Sequence, residues 1–267
     1  VREISKEANE TNLIYKKSGS TGHLFRLKVK DKLSFAVKVT AYPKCKNYNK
    51  YNIITRPENA DIKMLNILSE FVKKNQTPHI VLPLTYFLTN TETFVQKTMD
   101  IKVIPKKYSE FIEKFNNNIF ESKSVVTIVE WINGGDMLDF IRKYHKKLSI
   151  LDWKVMIFQI LFTLAIIQEK YPAFRHNDLK LNNILINIDP TKRNADIWKQ
   201  YTFKKYEFVI PDIGIDTMLT DFDFSCIQGV VENEKVDQTW TDKINVSNHS
   251  HKYYDIFFLF GSMCKFL

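Results

Sequence analysis

The sequence predicts an α+β protein of two lobes, a smaller β-rich one followed by a mainly helical one. Three observations carry this. Short apolar stretches separated by turn residues run from Ile14 to Val39 and return at Ser124 to Ile132, as strands of a half-buried sheet would. The last of these strands breaks at Gly134-Gly135, just before the helical pattern Met137 to Tyr144, a natural joint between lobes. Beyond the joint comes a long apolar run, Val155 to Ile167, that reads as a buried helix and is too short for a membrane span. The expected division is 1–132 and 133–267, with an insertion at about 98–123 in the first lobe and an inserted hairpin at about 189–216 in the second.

Composition narrows the class. Hydrophobic residues at 44% and charged residues at 26% are ordinary for a globular protein, and 267 residues suffice for one large core or two lobes sharing a cleft. The net charge of +9 suits an anionic partner, but the lysines are scattered, so solubility explains it better and nucleic acid is not indicated. Cys45, Cys226 and Cys264 lack metal-ligand spacing, so neither a disulfide framework nor a metal cluster is expected, and a reducing, cytoplasmic compartment is the default. No signal peptide is visible. The chain starts at Val1 without Met and stops at Leu267 inside an apolar segment, which suggests further sequence at both ends.

In chain order, residues 1–13 are a polar lead-in. Gly19 and Gly22 then sit at the tip of a first hairpin, where a missing Cβ lets backbone N–H groups approach phosphates, though any hairpin tip favours glycine. Lys38, sixteen residues after Gly22 in A-V-K-V, reads as a partly buried amine with an anionic partner. Pro57 opens a helix to about Lys74 with a broad apolar face of Ile62, Leu65, Ile67, Leu68 and Phe71. Asp61 in that helix has two readings, a partner for Lys38 or a carboxylate favoured by the helix N-terminal dipole. Residues 98–123, rich in Lys, Asn and Phe, read as an insertion rather than a core element. At the joint, the carbonyl of Glu130 and the N–H of Ile132 are placed to meet an adenine edge with Asp136 near a ribose, or the segment is a plain strand-turn-helix. Asp152 is expected to cap the long helix.

Phe174 to Ile186, F-R-H-N-D-L-K-L-N-N-I-L-I, is the stretch richest in chemistry. Asp178 can take a proton from an attacking hydroxyl, Lys180 two residues on can neutralise a moving phosphoryl group, and Asn183 five residues on can offer its amide oxygen to Mg²⁺. The strand Ile184 to Ile188 would fix this loop to a sheet. The alternative is a polar surface turn ahead of a strand. Asp189 to Asp216 follows, with Y-E-F-V-I-P-D-I-G-I read as a hairpin with a Pro/Gly turn. Asp221 in T-D-F-D-F then ends a second strand, and with Asn183 makes an oxygen-ligand site of the kind Mg²⁺ prefers, unless it is simply solvated.

Together these residues resemble a eukaryotic-type protein kinase from about Lys17 to Leu267. The matching stretches are Lys17-x-Gly19-x-x-Gly22 for the glycine loop, A-V-K at Lys38, Asp61 where Glu is usual, T-P-H-I-V, V-E-W-I-N-G-G-D with Val129 as gatekeeper, H-N-D-L-K-L-N-N, D-F-D where D-F-G is usual, and Y-Y-D-I-F-F-L-F-G with Asp255. The resemblance implies a bilobal kinase-like fold and a protein serine/threonine kinase using ATP with Mg²⁺, or Mn²⁺, on protein substrates. It makes Lys38, Asp178, Lys180 and Asn183 catalytic and Asn183 and Asp221 metal ligands. It places Gly19, Gly22, Leu24, Ala36, Lys38, Asp61, Glu130, Ile132, Asp136, Leu185 and Asp221 around ATP, and implies that Asp255 ties down the catalytic-loop backbone.

Three departures matter. Asn177 stands where many members carry the Arg that receives an activation-loop phosphate. Asp223 replaces a flexible Gly. No A-P-E lies between Asp221 and Asp255. The D-F-D-F-S variant, the inserted hairpin and the missing A-P-E resemble the divergent kinases of large cytoplasmic DNA viruses, for which host cytoplasm or virion is the expected location. H-N-D with D-F-D is also similar to choline and aminoglycoside kinases, and a pseudokinase that binds nucleotide without turnover is a third reading.

Overall fold

The structure, a computed structural model, describes residues 11–18, 22–29, 33–44, 56–98, 106–193, 196–236 and 246–264. It forms two compact units, Val1–Glu58 with Pro83–Trp131, and Asn59–Leu82 with Ile132–Leu267. A single cut at residue 132 therefore does not describe the division. Asn59–Leu82 joins the second unit because its polar groups are spent there: Phe222 N–H donates to Asp61 at 3.0 Å, and Leu219 N–H to the carbonyl of His79 at 2.9 Å.

The first unit is an antiparallel sheet of five strands: β1 (Thr11–Ser18), β2 (His23–Val29), β3 (Leu33–Pro43), β4 (Pro83–Asn90) and β5 (Phe120–Glu130), in the order β1-β2-β3-β5-β4. Lys38 pairs with Leu24 and Thr127, and Ala36 with Arg26 and Val129. Side chains alternate across a sheet, so Leu24, Ala36, Lys38 and Val129 share one face. Phe25, Val37, Val39 and Val126 take the other, where they form a buried cluster with Val95 of α2 (Thr91–Thr98) and Tyr108 and Phe111 of α3 (Lys106–Asn116). This overturns the reading of 98–123 as an insertion outside the core: Tyr108 is fully buried, and β5 begins at Phe120 rather than Ser124. Lys106, Lys107, Lys114 and Asn116, part of what gave that stretch its loop-like composition, lie on the exposed side of an amphipathic helix.

In the second unit, α1 (Pro57–Lys73) buries Ala60, Met64, Leu65, Leu68 and Phe71. The joint is a staple rather than a loose turn. Gly134 N–H donates to Ile186 O (2.8 Å), Ile186 N–H to Gly135 O (2.9 Å), and the Asn133 amide exchanges two hydrogen bonds with Ile188. A Cβ on Gly134 would collide with the Ile186 carbonyl, so this glycine serves close approach. Asp136 N-caps α4 (Met137–Tyr144) by accepting Asp139 N–H.

The long helix α5 (Ile150–Lys170) is capped by Ser149, with Asp152 returning a bond to the Ser149 N–H in a capping box, so the cap falls three residues earlier than expected. At 21 residues, with mean hydropathy 1.9 over 18 of them, it is also longer than the run 155–167 and passes a length-and-composition test for crossing a bilayer. Of that window 56% is buried within the protein, which is how a core helix reads.

Strands β6 (Phe174–Arg175) and β7 (Ile184–Ile188) flank the loop of interest. β8 (Trp198–Phe203) and β9 (Tyr206–Pro211) form the hairpin, and β10 (Ile215–Leu219) pairs antiparallel with β7. The hairpin turns at Lys204-Lys205, not at a Pro/Gly pair. The Pro211 to Gly214 segment instead closes its base, where Asp189 N–H meets Gly214 O at 2.9 Å and Gly214 has φ +68. β11 (Cys226–Ile227) pairs with β6, and α6 (Tyr254–Cys264) follows, burying Asp255, Leu259 and Met263. Cys226 is buried and Cys264 exposed, neither in a disulfide.

Candidate active site

In the first unit, Lys38 lies mid-strand on the face shared with Leu24 and Ala36. Gly22 must lack a side chain, because a Cβ there would stand 2.8 Å from Thr40 Oγ1 and 3.3 Å from Lys38 Cε. Gly19 lies outside the described residues. Glu130 ends β5, paired with Phe35.

In the second unit the loop between β6 and β7 is held from three directions. From α6, the fully buried Asp255 carboxylate accepts His176 N–H (2.8 Å) and Asn177 N–H (2.9 Å). Burial pushes its pKa up, and the charge of His176 and the two amide donors oppose that push. From the residue just past β10, the carbonyl of Thr220 accepts from His176 Nε2 (3.1 Å), and Thr220 N–H donates to Asn183 O (3.2 Å). Because a carbonyl only accepts, Nε2 carries a hydrogen. From the segment after β10, Ser225 Oγ donates to His176 O at 3.1 Å, and the buried Asn233 bridges the carbonyls of Asp223 and Ser225 at 2.9 and 3.1 Å.

Asn177 is fully buried at φ 64, and its amide donates to the carbonyls of Phe224 and Ser247, both at 3.0 Å. It is a tie inside the protein, not a surface receptor. Arg175 just before it stacks over Tyr254 with 4.0 Å from guanidinium carbon to ring centroid, and donates to Ser247 Oγ and His249 O.

The loop thus anchored presents three side chains together. Lys180 Nζ reaches both carboxylate oxygens of Asp178, at 3.0 and 2.7 Å, and Asn183 Nδ2 donates to the Asp178 carboxylate and to its carbonyl, both at 2.9 Å. Asp178 keeps 20% of its side chain exposed and Lys180 40%, so an outside hydroxyl can reach the carboxylate. Sequence spacing suggested this convergence, and the structure brings all three residues together.

With its NH₂ turned to Asp178, Asn183 has only Oδ1 left, and that oxygen takes no hydrogen bond among the described residues. Asp221 stands two residues beyond β10, exposed, at φ 63, and Leu219 of β10 lies opposite Ile184, the neighbour of Asn183. An amide oxygen and a carboxylate on neighbouring strand ends fit a hard divalent cation such as Mg²⁺, whose remaining ligands come from phosphate and water. Among the described residues no group of three or more His, Cys, Asp or Glu could hold a metal, so a zinc-type site finds no support there. Asp61 is buried and bonded to the Phe222 amide, so its carboxylate has a backbone partner besides the helix N-terminal dipole. Thr220, Ser225 and Asn233 carry no local sequence signal, because what they do is donate to or offer backbone groups far away in the chain.

The fold anchors an Asp-Lys-Asn loop to the buried Asp255 and places Asp221 just past the strand paired with β7. A family model for the protein tyrosine and serine/threonine kinases matches residues 73–198. The chain is 46% identical over 258 residues, 94% of its length, to R400 of Acanthamoeba polyphaga mimivirus, whose name assigns it provisionally to the serine/threonine-protein kinases. It is 28% identical over 285 residues to R301 of the same virus, named in the same way, and 31% identical over 101 residues to serine/threonine-protein kinase 1 of Heliothis zea nuclear polyhedrosis virus. These alignments cover 91% and 34% of this chain, and 69% and 37% of those relatives. The chain spans 55% of R400, about half its length. Residues 73–198 thus match a protein kinase family model, and the chain is similar to kinases of large DNA viruses.

Proposed function

We propose that this protein is an ATP-dependent kinase that phosphorylates Ser or Thr hydroxyls of protein substrates. The observation that carries this is Asp178, a reachable carboxylate held by Lys180 and Asn183 on one anchored loop. In the proposed reaction the substrate hydroxyl gives its proton to Asp178 as its oxygen bonds the γ-phosphorus. The bond from that phosphorus to the bridging oxygen breaks, and ADP leaves. Lys180 neutralises charge on the transferred group. Mg²⁺ or Mn²⁺, when bound, supplies charge neutralisation at the phosphates, with Asn183 and Asp221 as its protein ligands.

In this reading the two units are the lobes of a bilobal kinase, and each carries residues for ATP. On the first unit Gly19 to Gly22 and Lys38 take its phosphates, and on the second Asp61 supplies the helix carboxylate of the site. Glu130 and Ile132 meet the adenine through their backbones, Asp136 meets the ribose, and Leu24, Ala36 and Leu185 pack around the base. A reducing cytoplasm, of a host cell or within a virion, is the proposed setting.

The test offers radiolabelled ATP with casein, a basic protein and choline side by side. Label on protein Ser or Thr supports the proposal. Label on choline alone overturns it in favour of a small-molecule kinase. A metal-dependent thermal shift with ATP and no turnover of any acceptor overturns it in favour of a pseudokinase.

A further inference from the structure

The hairpin β8–β9 interrupts the path between the two strands that deliver Asn183 and Asp221, and the way it docks gives it a task. Tyr201 points inward from β8, fully enclosed, its ring edge-on to Phe158 and Phe162 of α5 at 5.2 and 5.0 Å. Its hydroxyl lies 2.9 Å from Nε2 of His79, and the two rings stack at 15°. Nδ1 of His79 lies 3.0 Å from the carbonyl of Thr217 on β10, an acceptor only, so Nδ1 carries the hydrogen and Nε2 accepts from Tyr201. The backbone of the His79 stretch continues along β10, with Leu219 N–H donating to His79 O and Val81 N–H to Leu219 O, at 2.9 and 3.1 Å. Gln159 of α5 holds the same strand, taking Thr217 N–H and donating to Ile215 O, while Lys199 of β8 reaches Asp216 at 2.5 Å. His79, Gln159 and Lys199 thus each reach β10, with Lys199 also pairing with Asp212 at 3.4 Å, and Asp221 is the second residue beyond the strand.

From this we infer that Tyr201 is a positioning residue: through His79 it fixes the end of β10 and thereby sets Asp221 beside Asn183, so that the hairpin braces the cation site. A core that needed only volume here would be better filled by apolar side chains, since burying an imidazole and a phenol is favourable only when both are bonded. The hydrogen-bonded chain adds direction, which is what an oxygen ligand at a strand end requires.

The inference rests on the kinase reading for its consequence, but its first readout does not. In Tyr201→Phe, hydrogen exchange of segment 215–222 should quicken several-fold relative to wild type while exchange in β1–β5 stays unchanged. The Mg²⁺ concentration for half-maximal phosphorylation should rise on the order of tenfold, as for other supporting residues around metal ligands. The double variant Tyr201→Phe/His79→Leu replaces both polar partners with apolar ones, so its unfolding midpoint should return near wild type. Its Mg²⁺ requirement should stay raised. The control Thr202→Ala, on the outward face of the same strand, should change neither. Unchanged exchange at 215–222 in the single variant overturns the inference, as does a double variant that regains both stability and the wild-type Mg²⁺ curve, which would make the pair mere packing. If wild type shows no turnover, the kinase reading fails, and the exchange data together with Mn²⁺ affinity measured by paramagnetic broadening still decide whether Tyr201 braces Asp221.

Discussion

The backbone N–H of Phe222 donates to Asp61 Oδ1 at 3.0 Å, joining the helix after Pro57 to the turn that carries Asp221. An acid one methylene shorter than Glu is thus spent, in part, on holding a left-handed turn, since Asp221 sits at φ 63 and its neighbour is pinned by this bond. Asp61→Asn keeps an oxygen acceptor for Phe222 and removes the charge, whereas Asp61→Ala removes both. If the turn is the main client of Asp61, Asn should retain most of the thermal stability and Ala should lose about 1–3 kcal/mol by urea unfolding. Equal losses in the two variants would assign the effect to the charge instead.

Asp178→Ala removes the only carboxylate that both Lys180 and Asn183 bind among the described residues. Turnover should fall by roughly two to four orders of magnitude, with nucleotide affinity from a thermal-shift titration nearly intact. Matching losses of turnover and affinity would show that the residue shapes the pocket rather than the chemistry.

Asn177 shows why its position cannot take the Arg common in the family. Its amide is fully enclosed and ties Phe224 O to Ser247 O, on a left-handed backbone that Asn tolerates better than most residues. Asn177→Ala removes this amide donor from both carbonyls and should cost about 2–4 kcal/mol. Asn177→Arg should cost at least as much, because a guanidinium must be buried there. Chemical denaturation of both variants checks this, and a loss under about 0.5 kcal/mol for Ala would refute the tie.

In the first unit, Phe111 packs its ring on His23 at 4.4 Å between centroids and on Tyr108 at 5.6 Å, inside the cluster that backs the sheet. Phe111→Ala should cost about 3–5 kcal/mol, the price of a cavity in a true core. A surface insertion would lose under about 1 kcal/mol, so differential scanning calorimetry separates the two cases.

These cases show what the sequence could convey. The Asp178 loop, β7, α1 and α4 were legible because the signals are local: fixed spacing, a strand run, a proline start, a Gly pair. α3 was not, because its apolar stripe is Tyr108, Phe111, Ile112 and Phe115 set among exposed Lys, Glu and Asn, which composition alone reads as loop. The cap at Ser149 was missed by three residues because Asp152 belongs to the same capping box and is itself a good cap residue. Asn177, Asn233 and Tyr201 act across 47 to 122 residues of chain or on backbone carbonyls, and no spacing rule reports such partners.

The buried histidines predict how stability depends on pH. Burial holds His79 at about 4, against an ordinary 6.5, with Asp216 opposing and Lys199 reinforcing the shift, and burial likewise holds His23 at about 4. Between those values the unfolded chain binds more protons than the folded one, so stability rises with pH across the interval. The contribution is fully present above about 6.5 and is lost as pH falls towards 4, by up to about 3 kcal/mol for His79, which is almost wholly enclosed. His23, also bonded through Nδ1 to Ser18 at 2.6 Å but less deeply covered, should contribute less. Urea midpoints at a series of pH values from 7.5 to about 4.5 should therefore decline on the acid side, and His79→Leu should flatten that decline because it removes the titrating group. A variant whose acid-side slope equals that of wild type would show that His79 is not the group responsible.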